Sequence, residues 1–205
     1  MVRKTKEDAE LTRQRIIEAA RTEFLARGVR QTSMEHIAIA AGVTRGAVYW
    51  HFNNKTDLFH AMREQVMLPM IDSMDETLLV KDSDDPLACI ERFFCSTIER
   101  LDDSLATRQS YEIMMTKCEY VGEFANVLQQ IMTNCSHIVD KVASVYERAA
   151  ARGQLQPNQE PMQLALDSHL FFIGLLNMWV KDIEGRQFRP RAIELIHSHI
   201  ALRRK

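Results

Sequence analysis

Apolar residues recur at helical spacing almost from the start of this chain. Ile16, Ile17, Ala20 and Phe24 mark one face of a helix over about 9–27. Arg27 and Gly28 close it, a cation in the last turn followed by the residue suited to a left-handed C-cap. Thr32-x-x-Glu35 has the form of a capping box for a second helix. Met34, Ile37, Ala38 and Ala41 give that helix a clean inner face at i, i+3, i+4 and i+7. Gly42 ends it after two turns, and Thr44 can cap a third helix running to about Phe52. Asn54 to Asp57 offers the next N-cap. A long helix over 55–79 then carries Leu58, Met62, Val66 and Met70 on its stripe, with Pro69 a source of distortion.

The same period continues to the end. Lys81–Asp85 reads as a polar linker, and Pro86 suits the first position of a helix over 86–101 with Ile90, Phe93, Phe94 and Thr97 inward. Further helices are predicted over 107–118, 120–152, 161–181 and 190–203, the last with Ile193, Ile196 and Ile200 in line. No segment alternates like a strand. The prediction is an all-α chain of about nine helices, with a three-helix domain at 1–54 and a larger helical domain at 55–205.

Composition supports this. Gly 7 and Pro 5 among 205 residues is about half the usual share, which disfavours a turn-rich β-sandwich. Cys89, Cys95, Cys118 and Cys135 show no C-x-x-C spacing, so neither a zinc site nor a redox pair is indicated. The N-terminus lacks the apolar core of a signal peptide. The most apolar stretch, 164–180, contains Asp167, His169 and Asn177 and reads as a buried helix, not a membrane span. A cytoplasmic protein with reduced thiols is expected.

Charge adds an asymmetry that the net value of −2 hides. Residues 1–60 hold 10 Lys/Arg against 7 Asp/Glu, while residues 61–205 hold 16 against 21. A basic head on an acidic body points to an anionic partner for the head.

The second and third helices are too short to persist alone and must pack on the first. Ala38 permits close approach, Gly42 can supply positive φ, and Val43, Val48 and Phe52 face inward, which is a helix-turn-helix pattern. The outward face is then Thr44, Arg45, Gly46, Tyr49 and Trp50, with His51 beside it. Gly46 inside a helix costs ~1 kcal/mol against Ala, and two exposed aromatics are wasteful, unless a phosphate backbone and a groove press on this face. Arg45 can reach guanine O6/N7, and Tyr49 and His51 can donate to phosphates. Trp50 fits packing as well as groove contact, and His51 fits a bond to a neighbouring backbone. Lys55 opens a helix where a cation opposes the dipole, which favours a nearby phosphate. Lys4 and Lys6 fit either a solvated tail or a groove-tracking arm.

Thr44-Arg-Gly-Ala-Val-Tyr-Trp-His-Phe52, with Asn53, Asn54, Lys55, Leu58 and Phe59 behind it, resembles the signature of the TetR family of bacterial transcriptional regulators. The opening Met1 to Lys6 and the run Lys117-Cys-Glu-Tyr120 are similar to the subgroup that represses multidrug efflux pumps, the acridine-resistance regulator type. The likeness is close over 1–60 and rests mostly on helix order beyond. It implies a homodimer on a palindromic double-stranded operator, with Thr32 and Ser33 joining the DNA contacts. It also implies a pocket in the body for a hydrophobic or aromatic effector, lined by Val66, Met67, Met70, Phe93, Phe94, Thr97, Tyr111, Met115, Ile138 and Phe172. Some regulators of this type carry polar side chains where this chain has Met67, Tyr111 and Met115, a departure that bears on the effector set. The last two helices would form the dimer interface through Leu166, Leu170, Ile173, Asn177, Ile193, Ile196 and Ile200, with Gly174 allowing close packing.

Enzyme readings find little footing. Glu194-x-x-His197 occurs once, where a di-iron carboxylate bundle needs the pattern twice with two further Glu. A Gly-rich phosphate loop, H-E-x-x-H and G-x-S-x-G are all missing from the sequence. No catalytic residue, metal or cofactor is expected. A bundle that only binds other proteins is the remaining rival.

Overall fold

A computed structural model describes residues 6–80 and 83–205. Lys4, with the rest of the arm at 1–5, and residues 81–82 of the expected linker lie outside the described residues. Nine α-helices appear among the described ones. They are α1 (Lys6–Arg27), α2 (Met34–Ala40), α3 (Arg45–His51), α4 (Lys55–Leu78), α5 (Pro86–Asp103), α6 (Leu105–Glu112), α7 (Ala125–Ala151), α8 (Pro161–Lys181) and α9 (Ala192–Ala201). The expected helix at 107–118 is α6 continued by a widened π turn, Ile113–Lys117. A 3₁₀ turn at Gly122–Phe124 leads into α7, and another at Arg189–Arg191 leads into α9.

Packing divides the chain into two compact units. One is the chain up to Met67 with Gln109–Leu128, and the other is Leu68–Arg108 with Gln129–Lys205. This division follows contact, whereas the 1–54 and 55–205 division follows chain order.

The first unit is built on α1. Ile16, Ile17, Ala20 and Phe24 are buried with Ile37 and Ala38 of α2, Val48 of α3 and Leu58, Phe59 and Met62 of α4. Phe24 meets Phe59 with ring centroids 6.1 Å apart, and Phe59 meets Phe124 edge-on at 5.4 Å. The backbone N–H of Val29 donates to Lys117 O at 2.9 Å, tying the α1–α2 link to the π turn. The second helix is capped one residue later than the sequence pattern suggested. Ser33 accepts from His36 N–H, and the His36 ring accepts from Ser33 N–H. Thr32 lies one residue before the cap, buried in the α1–α2 link, where its hydroxyl points back to Gly28 O at 2.8 Å and Glu23 O at 3.2 Å.

In the second unit α9 packs on α5 and α8. Ile90, Phe93, Phe94, Thr97 and Leu101 of α5 are buried, as their spacing predicts. A polar chain crosses this core. Tyr146 and Ser168 hydroxyls lie 2.7 Å apart, and the Ser168 hydroxyl lies 3.0 Å from His199 Nε2. Phe171 stacks on the His199 ring at 3.9 Å. Arg203 donates to His199 O at 2.7 Å and pairs with Asp167. Ile196 and Ile200, assigned to a dimer face by sequence, are fully buried here within the protomer. Trp179 is sandwiched by Arg108 and Arg189, 5.6 and 4.4 Å from the ring centroid.

His199 makes the fold pH-sensitive. Burial first, and then the Arg203 guanidinium, lower its pKa from 6.5 to about 4, against a smaller opposing effect of Asp167. Its folded value lies below its unfolded one, so the unfolded chain binds the extra proton. The contribution is complete above pH 6.5 and is lost as pH falls towards 4. Urea denaturation of the wild type and of His199→Gln should therefore show a shallower acid limb in the variant. Parallel acid limbs would mean that His199 is not the group titrating.

Candidate nucleic-acid interface

The turn between α2 and α3 fixes the interface. Gly42 sits at φ 62°, a left-handed conformation that side chains with Cβ rarely adopt. Gly42 N–H donates to Ile39 O and Val43 N–H to Ala38 O, both at 3.0 Å. Arg15 of α1 donates from Nη2 to Ala41 O at 2.7 Å, a cation on the end of α2. Thr44 caps α3, its hydroxyl accepting from Ala47 N–H at 3.1 Å. Arg13 lies over the Phe52 ring at 5.4 Å, at the other end of α3. Sequence patterning missed Arg13 and Arg15, because charged residues on a helix face look like solvated ones until a partner is seen.

With Val48 and Phe52 buried, α3 presents the face that its sequence predicts. Thr44, Arg45 and Gly46 are exposed, Tyr49 is 42% exposed and Trp50 is 72% exposed. Trp50 therefore does not pack inside the protomer. Its indole meets the half-buried His51 ring edge-on at 4.4 Å. The Arg45 guanidinium lies 5.5 Å from the Tyr49 ring centroid. A Cβ added at Gly46 would meet only Thr44 Oγ1 at 3.9 Å, so this glycine is not required by packing inside the chain. Ile39 of α2, 73% exposed, is an apolar residue that the sequence reading did not assign to the surface.

Three expected contacts are placed differently. Thr32 is buried and its hydroxyl is engaged by backbone carbonyls. Ser33 is exposed, with its hydroxyl in the cap of α2. Lys55 turns inward, where its ammonium donates to Arg30 O at 3.3 Å, lies 3.8 Å from Glu123 Oε1 and sits over Phe124 at 5.8 Å. These partners account for a cation at the start of α4 without a phosphate. Lys6 begins α1 and is exposed.

The ten residues expected around an effector fall in both units. Val66, Met67, Tyr111 and Met115 belong to the first unit, the other six to the second. In the second, Phe94 stacks on Phe172 at 4.1 Å, and Phe93 lies 5.8 Å from Phe94. Met70 is buried and Ile138 half-buried. Thr97 is buried, and its hydroxyl donates to Phe93 O. Of the expected dimer residues, Leu166, Leu170 and Ile173 are 42%, 70% and 38% exposed, while Asn177 and Ile193 are half-buried. Met162 and Met178 extend the exposed stripe on α8.

Comparison with known proteins bears on both units. Residues 16–62 match the profile of bacterial regulatory proteins of the tetR family, and residues 85–204 match the C-terminal region of MAATS-type transcriptional repressors. The chain is 34% identical over 180 residues to the transcriptional regulator TtgR of Pseudomonas putida, covering 88% of this chain and 85% of the relative. Against the regulator AcrR of Shigella flexneri it is 32% identical over 195 residues, 95% of this chain and 87% of the relative. The crystal structure of NalD, secondary repressor of the MexAB-OprM multidrug efflux pump in Pseudomonas aeruginosa, superposes with a TM-score of 0.86. The identity is 33%, over 98% of this chain and 99% of NalD. The triclosan complex of SmeT superposes with a TM-score of 0.82 and 26% identity, covering 95% and 92%. The helix-turn-helix face and the helical body are thus matched together, and the chain belongs to the TetR family of bacterial transcriptional regulators.

Proposed function

We propose that the protein is a homodimeric repressor of a multidrug efflux operon, acting in the cytoplasm and released from a palindromic operator by bulky hydrophobic or aromatic compounds. The observation that carries the DNA-binding part is the α3 face. Arg45, Tyr49 and Trp50 stand exposed on a two-turn helix whose other side is locked by Val48 and Phe52. Efflux regulation comes from similarity to the named repressors NalD and SmeT. Among the described residues no helix is long and apolar enough to cross a membrane.

Effector binding is assigned chiefly to the aromatic group Phe93, Phe94 and Phe172 with Met70 and Ile138. Such side chains repack around different shapes, and aromatic faces also accept cations. The effector must bind the released state better than the DNA-bound one, since it shifts the equilibrium only by that difference. α4, α6 and α7 each run from one unit into the other, so any repacking in the body has a covalent route to the head. The dimer contact is assigned to the α8 stripe of Met162, Leu166, Leu170 and Ile173. These residues recur at four- and three-residue steps, and a two-fold helix pairing would bury them. A regulator with a metabolic effector is the second reading; the distinction lies in the compounds that release DNA.

The decisive experiment recovers bound sites from genomic DNA and titrates the labelled operator complex with a panel of efflux substrates. Several unrelated apolar compounds should release the DNA. If none does, the efflux-sensing reading fails.

Arg45→Ala should weaken operator binding by ~1–3 kcal/mol and relax the preference at one base position. A uniform loss on all sequences would make Arg45 a phosphate contact instead. Lys55→Ala should lower the melting temperature while leaving the salt slope of operator binding unchanged, because its ammonium is engaged inside the head. A slope reduced by about one would restore Lys55 to the phosphate contacts.

Leu170→Asp should weaken the dimer in sedimentation while each protomer keeps its helical signal. Ile196→Asp should instead unfold the protomer, since it would put an unpaired charge at a fully buried position. Dimers of unchanged stability in Leu170→Asp would move the interface off α8.

A further inference from the structure

Arg63 stands one turn before the apolar stripe Val66–Met67 on α4 and is only 7% exposed. Its Nε and Nη1 atoms are buried with no hydrogen-bond partner among the described residues. Burial lowers its pKa, yet a guanidinium does not give up its proton in a protein. Among the described residues no carboxylate lies in ion-pair contact with it, and the attraction of Tyr120 and Glu64 is smaller than the effect of burial. The Tyr120 hydroxyl is spent on Met114 O at 2.7 Å, and burial pushes its pKa well up, so no phenolate faces the arginine. Glu64, the next residue, is exposed. Chains that bury a charge normally pair it, because an unpaired one is strongly destabilising.

We propose that the counter-ion comes from a ligand, and that Arg63 receives the acidic group of an amphipathic organic anion, a carboxylate on an apolar body. Val66 and Met67 follow Arg63 at i+3 and i+4, on the same side of α4. Val66 is buried and Met67 half-buried, so the side of α4 that carries the charge is otherwise apolar. The guanidinium fork matches a carboxylate through two parallel bonds and discriminates against cations by repulsion. Organic anions are then a distinct class of effector, read by α4 within the first unit. The inference rests on the ligand-responsive reading given above.

The test uses the full-length protein, calorimetry and thermal melting. The probes are 4-hexylbenzoate, its neutral isostere 4-hexylbenzamide, and chloride substituted for gluconate at constant ionic strength. The wild type should bind the benzoate about tenfold or more tightly than the amide, and Arg63→Lys should keep part of that preference. Arg63→Met should lose the preference and keep the affinity for the amide. The free Arg63→Met protein should also melt above the wild type, because an unpaired buried charge has been replaced by an apolar chain of similar length. Equal affinities for benzoate and amide in the wild type would overturn the proposal. So would a preference that survives in Arg63→Met, or a variant that melts below the wild type. Chloride should leave the wild-type melting temperature unchanged. If chloride raises it through Arg63 while the benzoate is not preferred, the site takes only an inorganic anion and the amphipathic assignment is wrong. Should neutral or cationic efflux substrates still release the operator while the benzoate gains nothing from Arg63, the repressor reading stands and this inference alone fails. If no compound binds at all, both fail.

Discussion

A seven-residue helix does not persist in water, because the cost of its first turn is never recovered over so few bonds. The recognition surface of this protein therefore exists only because α3 is held by α1 and α2. Val48 and Phe52 are the apolar anchors, and both are buried. Two arginines of α1 hold the frame from outside, Arg15 on the end of α2 and Arg13 over the Phe52 ring. Gly42 gives the left-handed step between the helices. The outward side chains then occupy a fixed surface before any DNA arrives. Folding has already ordered this surface, so whatever binds there does not have to order it.

The buried polar groups of the two units divide by whether the chain satisfies them. Thr32 gives its hydroxyl to two carbonyls at the α1–α2 link. Tyr146, Ser168, His199 and Arg203 form a connected chain through α7, α8 and α9 that ends on Asp167. Networks bonded in this way favour one arrangement of the helices, since alternatives strand more of their polar groups. Arg63 does not follow this rule. Two of its guanidinium nitrogens are buried without a partner among the described residues, whereas Arg203 leaves only its Nε so.

Much of this was legible in the sequence, and the reasons are specific. Short helices around Gly42 and the i, i+3, i+4 spacing of Met34, Ile37 and Ala38 reveal a helix-turn-helix, because periodicity reports burial directly. Periodicity does not say what does the burying. Leu166, Leu170 and Ile173 recur in steps of four and three and are exposed on the protomer, whereas Ile196 and Ile200 have the same kind of spacing and lie in its core. Both sets look like an interface in one dimension. Lys55 shows a second limit. Its unfavourable position at a helix start was readable, but its partners, Arg30 O, Glu123 and Phe124, lie 25 to 69 positions away in the chain. Capping slips by one residue for a similar reason. Thr32 and Ser33 are both good caps, and only the third dimension shows that Thr32 is buried with its hydroxyl turned back towards Gly28 O.

The segment Lys117–Phe124 shows how a reading head can be linked to a body whose own chemistry is unrelated. By sequence it belongs to the body, far from the helix-turn-helix. By packing it completes the head: Lys117 O accepts from Val29 N–H, Glu119 pairs with Arg30, and Tyr120 and Phe124 close over Phe59. Gly28 supplies the left-handed step that brings the chain there. It sits at φ 78°, a conformation that a side chain with Cβ rarely adopts, while the Lys117 carbonyl leaves room for a Cβ at 3.6 Å. The link between α1 and α2 is thus bonded to the turn that joins α6 to α7. A backbone hydrogen bond holds only over a few tenths of an ångström, so a shift of that turn must either carry Val29 with it or break the bond. The entry to α2 is thus anchored to that turn through a single backbone bond. The head offers α3 as its exposed face, but its geometry is completed by residues from the segment between α6 and α7.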